Sequence, residues 1–198
     1  MKRGVRALGV AESYAAGADR STLAGAVVRR DRVVDGLDYA TTTVGGLDTT
    51  GATVDLWDRL DRPDVRFVFL AGVALAWYNV VDLGRIHEAT DRPVLAVTFE
   101  ASPGLEGALR EAMDGAALRR RLERYRALPE RVPVELGDDR VYVRVVGLDI
   151  DRAREVVRAY TPEGGRPEPV RVARIAARGG DGVRRGGHDA SGGEPDRS

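Results

Sequence analysis

Four carboxylates follow apolar runs: Glu12 after LGVA, Asp48 after VGGL, Asp82 after NVV and Glu100 after VLAVTF. Hydrolysis of a phosphodiester by two divalent cations about 4 Å apart needs such acids, because hard cations take oxygen ligands and several must converge from different strand ends. Spacing alone leaves the matter open, since an acid at the start of a loop is equally a helix cap or a turn former. Asp48 stands directly before a helical pattern and carries that second reading. Glu12, an acid at the end of a buried run, has less structural reason to be there. A second group is Trp77, Tyr78 and Asn79: adjacent aromatics on a loop either stack on a nucleic-acid base or divide between core and surface. Asn79 also suits the cap of a following helix. The run RRRLERYR, Arg119 to Arg126, reads as a solvated helical face paired through Glu123, or as a surface that tracks phosphates.

Composition removes several alternatives. The 198 residues contain no cysteine, which excludes disulfides, thiolate catalysis and Cys-ligated zinc. His87 sits within a helical pattern and His188 in a glycine-rich end, so a histidine-based metal site is not expected. Thirty-one basic residues balance thirty-one acidic ones, giving no overall attraction to nucleic acid, although local patches can still supply one. Every basic residue except Lys2 is arginine, a bias that points to codon usage more than to contacts. There is no apolar run long enough for a membrane span or a signal sequence, and a cytoplasmic location is the expectation. No GxxxxGK[ST], GxGxxG or GxSxG pattern is present.

The elements that must position these residues follow from hydrophobic periodicity. Residues 5–9 and 23–29 read as strands, and 33–44 as a third, joined by short turns into an antiparallel meander. Thr49 to Leu60 has helical spacing. Val65–Leu70 and Val94–Phe99 are compact apolar runs of the kind buried in a parallel sheet, with the loop AGVALAWYN and a helix over 80–89 between them. Helices are expected over 104–113, 116–128 and 149–160, a strand over 141–146, and a last helix after Pro169. The reading is one domain over residues 1–178, followed by a disordered tail over 179–198 that is too poor in apolar side chains to order itself. The fold class is α/β: a ribonuclease H-like mixed sheet with an antiparallel three-strand meander followed by βαβ units.

Three segments, VRALGVAESYA, FVFLAGVALAWYNVVDL with RPVLAVTFE, and PEGGRPEPVRVARIAA, together resemble the archaeal endonuclease dU family, which is related to endonuclease V. The resemblance covers about residues 3–177. It implies cleavage of deaminated, deoxyuridine-containing DNA with Mg or Mn, and hence a role in DNA repair with DNA as the partner. Glu12 and Asp48 would be catalytic and, with Glu100, hold metal, while Tyr14, Trp77, Tyr78 and Asn79 would contact the nucleic acid. The family pattern of Gly-hydrophobic-Asp after the first strand is here Gly9-Val10-Ala11, with Glu12 as the surviving second acid. The Asp-Gly expected after Leu70 is Ala71-Gly72, and Arg174 stands where a His follows in relatives. Two strand-end acids are therefore methyl groups. The alternative is a catalytically degenerate module of the same fold that binds nucleic acid or a partner.

Overall fold

The computed structural model describes residues 2–189. In chain order it comprises strands β1 (Arg6–Ser13), β2 (Arg20–Arg29) and β3 (Val34–Thr43), helix α1 (Thr49–Leu60), β4 (Val65–Leu70), a four-residue turn α2 (Leu75–Tyr78) and the short strand β5 (Asn79–Val80). There follow α3 (Leu83–Thr90), β6 (Val94–Thr98), α4 (Glu106–Ala112), α5 (Gly115–Arg126), β7 (Val132–Leu136), β8 (Asp139–Val146), α6 (Ile150–Ala159) and α7 (Glu168–Asp189). Seven strands form one sheet in the order β3-β2-β1-β4-β6-β8-β7. The first three are antiparallel neighbours, β1, β4 and β6 run parallel, and β8 and β7 close the far edge antiparallel.

Side-chain alternation splits the central strands between two faces. Leu8 and Val10 of β1, Val68 and Leu70 of β4, and Val94 and Ala96 of β6 pack with Leu56 of α1 and Ile86 of α3. Their neighbours Ala7, Phe67, Phe69, Leu95 and Val97 pack with Val156 and Val157 of α6, Tyr160 directly after it, and Val170 of α7. Phe69 meets the edge of the Tyr160 ring at 5.4 Å, and the Tyr160 hydroxyl donates to the Val5 carbonyl (2.9 Å). Apolar residues on both sides of each central strand require helices on both sides, and the parallel order puts the ends of β1, β4 and β6 at one edge.

Gly9 fixes how α7 lies on this sheet. A Cβ at position 9 would sit 2.0 Å from the Pro169 carbonyl oxygen, so only glycine lets the start of α7 rest on β1. From that seat the small residues Ala173 and Ala177 continue the buried face of the helix.

Several boundaries differ from the sequence reading, each for a physical reason. β1 runs through Ser13 because its last residues pair with Thr22, Leu23 and Ala24 of β2, so Ala11 and Glu12 lie inside the strand on opposite faces. The segment Val132–Leu136, read only as punctuated by Pro129 and Pro133, is an edge strand, where proline's missing donor is tolerated. The third helix begins at Leu83 with Asp82 as its cap, accepting from the Arg85 amide (3.0 Å). The expected tail boundary at 178/179 is corrected: α7 continues to Asp189, and Asp181, 1% exposed, anchors it through Arg184 (2.7 Å), Arg185 (3.0 Å) and Thr22. Residues 190–198 and the side chain of His188 lie outside the described residues. Among the described residues no helix is long and apolar enough to cross a membrane.

Gly9→Ala is expected to lower stability by about 1–3 kcal/mol or more, because backbone at Pro169 cannot yield as a side chain would. Thermal unfolding reads this directly, and an unchanged melting temperature would mean that α7 is not seated on Gly9.

Candidate functional site at the sheet edge

The loop after β4 contains the most unusual backbone in the chain. Ala76, Trp77 and Tyr78 have φ values of 45°, 55° and 59°, three consecutive non-glycine residues wound left-handed. Each such residue costs about 1–2 kcal/mol, so the surroundings must hold the turn. Antiparallel bridges Ala74 to Val80 and Leu75 to Asn79 close its base. The Gly45 amide donates to the Ala76 carbonyl (2.8 Å), and the Trp77 ring lies on Gly45, where a Cβ would come within 2.6 Å of the indole. Arg121, 6% exposed, donates to the carbonyls of Tyr78 (3.0 Å), Gly46 (3.0 Å) and Gly45. Arg124 donates to Leu47 and Val80. The arginine helix is therefore neither a purely solvated face nor a phosphate track: Arg121 and Arg124 brace this loop, and Arg126 pairs with Glu106 (2.8 Å).

Asn79 is wholly buried and fully used. Its Oδ1 accepts from the Thr49 amide (3.2 Å) at the start of α1, and its Nδ2 donates to the Thr43 carbonyl (3.0 Å) and to Asp48 Oδ1 (2.6 Å). Asn79 thus caps α1 across space instead of the helix that follows it. Asp48 occupies the N-cap position of α1 without capping it. Its carboxylate turns back to accept from the Thr43 amide (3.0 Å) and hydroxyl (2.8 Å). Burial acts against the Asp48 charge, but the hydrogen bonds from Asn79 and Thr43 outweigh it and hold the carboxyl below its usual 3.8. Asn79, buried and bonded through both ends of its amide, is corrected as a nucleic-acid contact, whereas the Asp48 side chain is 44% exposed, with Arg20 3.9 Å away, and keeps carboxylate lone pairs open to solvent.

Glu12 lies nearer the aromatic turn. Ser21 donates to its carboxylate (3.1 Å), the Ala76 amide supports it, and Arg174 of α7 is close enough to favour its charge. Burial nevertheless dominates, and the Glu12 pKa is raised above 4.5. Tyr14 is raised too, by burial first and then by Glu12 and Tyr78, so these three groups face one another. Tyr78 stacks obliquely with Trp77, ring centroids 5.5 Å apart, and Trp77 is 47% exposed. The structure therefore brings Glu12, Tyr14, Tyr78 and Trp77 together. Ala11, on the other face of β1, is buried with Ala26, Val28 and Ala173 beneath α7, and Ala71 packs at the end of β4. A carboxylate at position 11 would have to enter that small-residue cluster.

Glu100 is exposed and does not join this group: its carbonyl accepts from Arg131, and it stands on the rim of a cavity of about 350 Å³ past the ends of β4 and β6. Among the described residues no three His, Asp or Glu side chains are placed to hold a metal ion. The carboxylates of Glu12 and Asp48 flank the turn, and each has a guanidinium nearby, Arg174 at Glu12 and Arg20 at Asp48 (3.9 Å). These residues do not fit a pair of divalent cations, whose charge needs several converging carboxylates. The cavity is lined instead by Arg131, Arg144, Arg166 and Arg174. Sequence reasoning missed this cluster because its members come from four separate elements or loops, and no local spacing joins them.

The strand order, the meander and the site at the ends of β1, β4 and β6 define an endonuclease V-like member of the ribonuclease H-like fold. Human ENDOV superposes with a TM-score of 0.61 at 16% identity, covering 92% of this chain and 86% of its own. Endonuclease V of Ciona intestinalis, in complex with a 23mer DNA containing an inosine, also gives 0.61, at 10% identity, covering 91% of this chain and 87% of its own. A protein of unknown function from Archaeoglobus fulgidus reaches a TM-score of 0.76 at 25% identity over 88% of this chain and 96% of its own. The UPF0215 protein of Pyrobaculum calidifontis is 33% identical over 174 residues, 87% of this chain and 94% of its length. The endonuclease dU family profile matches residues 3–180, and this chain belongs to the endonuclease dU family.

Two substitutions check the geometry. Asn79→Ala strands the buried Thr49 amide, at a cost of about 1–3 kcal/mol, and removes one of the two donors to the Thr43 carbonyl, which keeps the Gly46 amide (3.0 Å); a clear drop in melting temperature is expected. Glu12 titrates with a raised pKa, so its contribution to stability is greatest below 4.5 and is lost as pH rises through the raised value. Glu12→Gln is therefore expected to melt higher than the native protein at neutral pH, with the gap closing on acidification. A gap independent of pH would remove burial as the cause.

Proposed function

We propose that this member of the endonuclease dU family binds nucleic acid at the aromatic turn and the adjoining sheet edge, and that binding, not two-metal hydrolysis, is what its residues sustain. The observation that carries this reading is the charge of the edge. Where a metal pair would need converging carboxylates, Ala11 and Ala71 are neutral, Asp48 is held by Thr43 and Asn79 with Arg20 3.9 Å away, and Arg174 stands beside Glu12. Arginine beside aromatic surface is a favourable setting for phosphate and base. The family name points to deoxyuridine-containing DNA as the ligand to try first, and a related fold is known in complex with DNA. Tyr14, Trp77 and Tyr78 are the residues placed to meet a base.

A second reading is favoured by one observation: Glu12 is a half-buried acid with a raised pKa at the edge of the aromatic cluster. In that reading the chain is an endonuclease acting at deoxyuridine with magnesium or manganese held by Glu12. Fluorescence anisotropy with a uracil-containing duplex separates the two. Binding that survives chelator and falls roughly tenfold in Trp77→Ala, the scale of one stacked base, is expected. Incision that requires manganese and disappears in Glu12→Gln would replace the binding reading with the hydrolytic one.

A further inference from the structure

The cavity beyond β4 and β6 gathers four arginines on one lining. Many guanidinium groups elsewhere meet carboxylates, as in Arg59–Asp38 (2.7 Å) and Arg62–Asp64 (3.0 Å), while Arg121 and Arg124 are taken up by backbone carbonyls. None of Arg131, Arg144, Arg166 and Arg174 forms an ion pair with a described residue, and the one acid on the lining, Glu100, is at the solvent rim. Three of the four stand over aromatic rings: Arg131 over Tyr142 at 4.0 Å, Arg144 over Tyr125 at 5.0 Å and Arg166 over Phe99 at 4.3 Å. A ring face positions a guanidinium without neutralising it.

Hydrogen bonding divides the cluster further. Arg131 donates to Ser102 and to the Glu100 carbonyl, and Arg144 to Tyr125 and the Pro129 carbonyl, so both are anchored and still carry full charge. Nε of Arg131 is buried with no acceptor. Arg166 and Arg174 donate no hydrogen bond to any described residue, which leaves their forks available. Burial disfavours the Arg174 charge, and Arg166 and Arg178 repel it; only Glu12 compensates. Four cations gathered in a concave site against only Glu12 and the rim acid Glu100 are costly by themselves and are offset when an anion enters.

We propose that this cavity is a phosphate-monoester site, in which Arg166 and Arg174 bind the dianion directly, Arg131 and Arg144 supply field, and Ala96 and Leu105 face the attached organic group. Arginine forks match phosphate oxygens in pairs, and a dianion answers more of the unpaired charge than the single charge of a phosphodiester. A volume of about 350 Å³ is within the range of small-molecule sites. The carrier is a terminal nucleotide or a free mononucleotide; this step rests on the nucleic-acid reading above, whereas the phosphate site itself does not.

Calorimetric titration of the full chain with inorganic phosphate, deoxyuridine, deoxyuridine 5′-monophosphate and a 5′-hydroxyl oligonucleotide tests it. The monophosphate is expected to bind at least about tenfold more tightly than the nucleoside, and Arg166→Ala and Arg174→Gln each to weaken it by about tenfold. Arg166 is exposed and donates no hydrogen bond to a described residue, so its variant keeps the test valid if Arg174→Gln unfolds. Equal binding of phosphate and monophosphate supports the site with free phosphate as its source; tighter monophosphate binding supports the nucleotide. No binding of either, or affinities unchanged in both variants, overturns the inference. In that event, binding of the 5′-hydroxyl oligonucleotide would leave the nucleic-acid reading standing, and its absence would remove that too.

Discussion

The left-handed backbone of Ala76, Trp77 and Tyr78 is the constraint around which the sheet edge is arranged. At about 1–2 kcal/mol per residue the turn stores roughly 3–6 kcal/mol, a sizeable fraction of the 5–15 kcal/mol that separates a folded domain from its unfolded chain. Such a turn persists only where neighbours over-determine it. Here Arg121 ties three carbonyls together from α5, Gly45 receives the indole ring, and Asn79 closes the turn while capping α1. The result is a tryptophan held half in solvent beside Glu12, Tyr14 and Tyr78.

That scaffold determines what each polar group is free to do. Asp48 and Asn79 sit at the edge, where their hydrogen bonds join the end of β3 to the starts of α1 and β5. On the opposite face of β1, Gly9 admits the Pro169 carbonyl and Ala11 admits Ala173, which brings α7 and its Arg174 against the strand end. The small side chain of Ala11 and the close seating of α7, which carries Arg174, are thus linked by packing. With the acids absent, the remaining field at the ends of β4 and β6 belongs to arginines held over aromatic rings, and it favours anions.

Much of the fold was legible in the sequence because its signals are local and periodic. VRFVFL and VLAVTF announce strands buried on both faces, and the polar turns between the first three strands announce a meander. The resemblance carried by PEPVRVARIAA and NVVD gave the family, which residues 3–180 confirm. The site was less legible for equally physical reasons. Asp48 looks like a cap or a ligand in the sequence, and only the approach of Thr43 and Asn79, the latter from beyond β4, shows that its side chain does not cap α1. Left-handed winding at Ala76–Tyr78 has no signature in a sequence without glycine there. The last turns of α7 looked like a glycine-rich tail, and it is the burial of Asp181 with Arg184, Arg185 and Thr22 that orders them. The arginine cavity had no local spacing to betray it.

The measurement that bears most directly on these claims is a calorimetric titration of the native protein with manganese at neutral pH and low phosphate. If the sheet edge is built for anions, the titration gives only weak, non-saturating heats, indistinguishable from those of Glu12→Gln. A saturable, stoichiometric isotherm that Glu12→Gln abolishes would show that Glu12 still organises a metal centre, and the anion-binding account of the edge would fall.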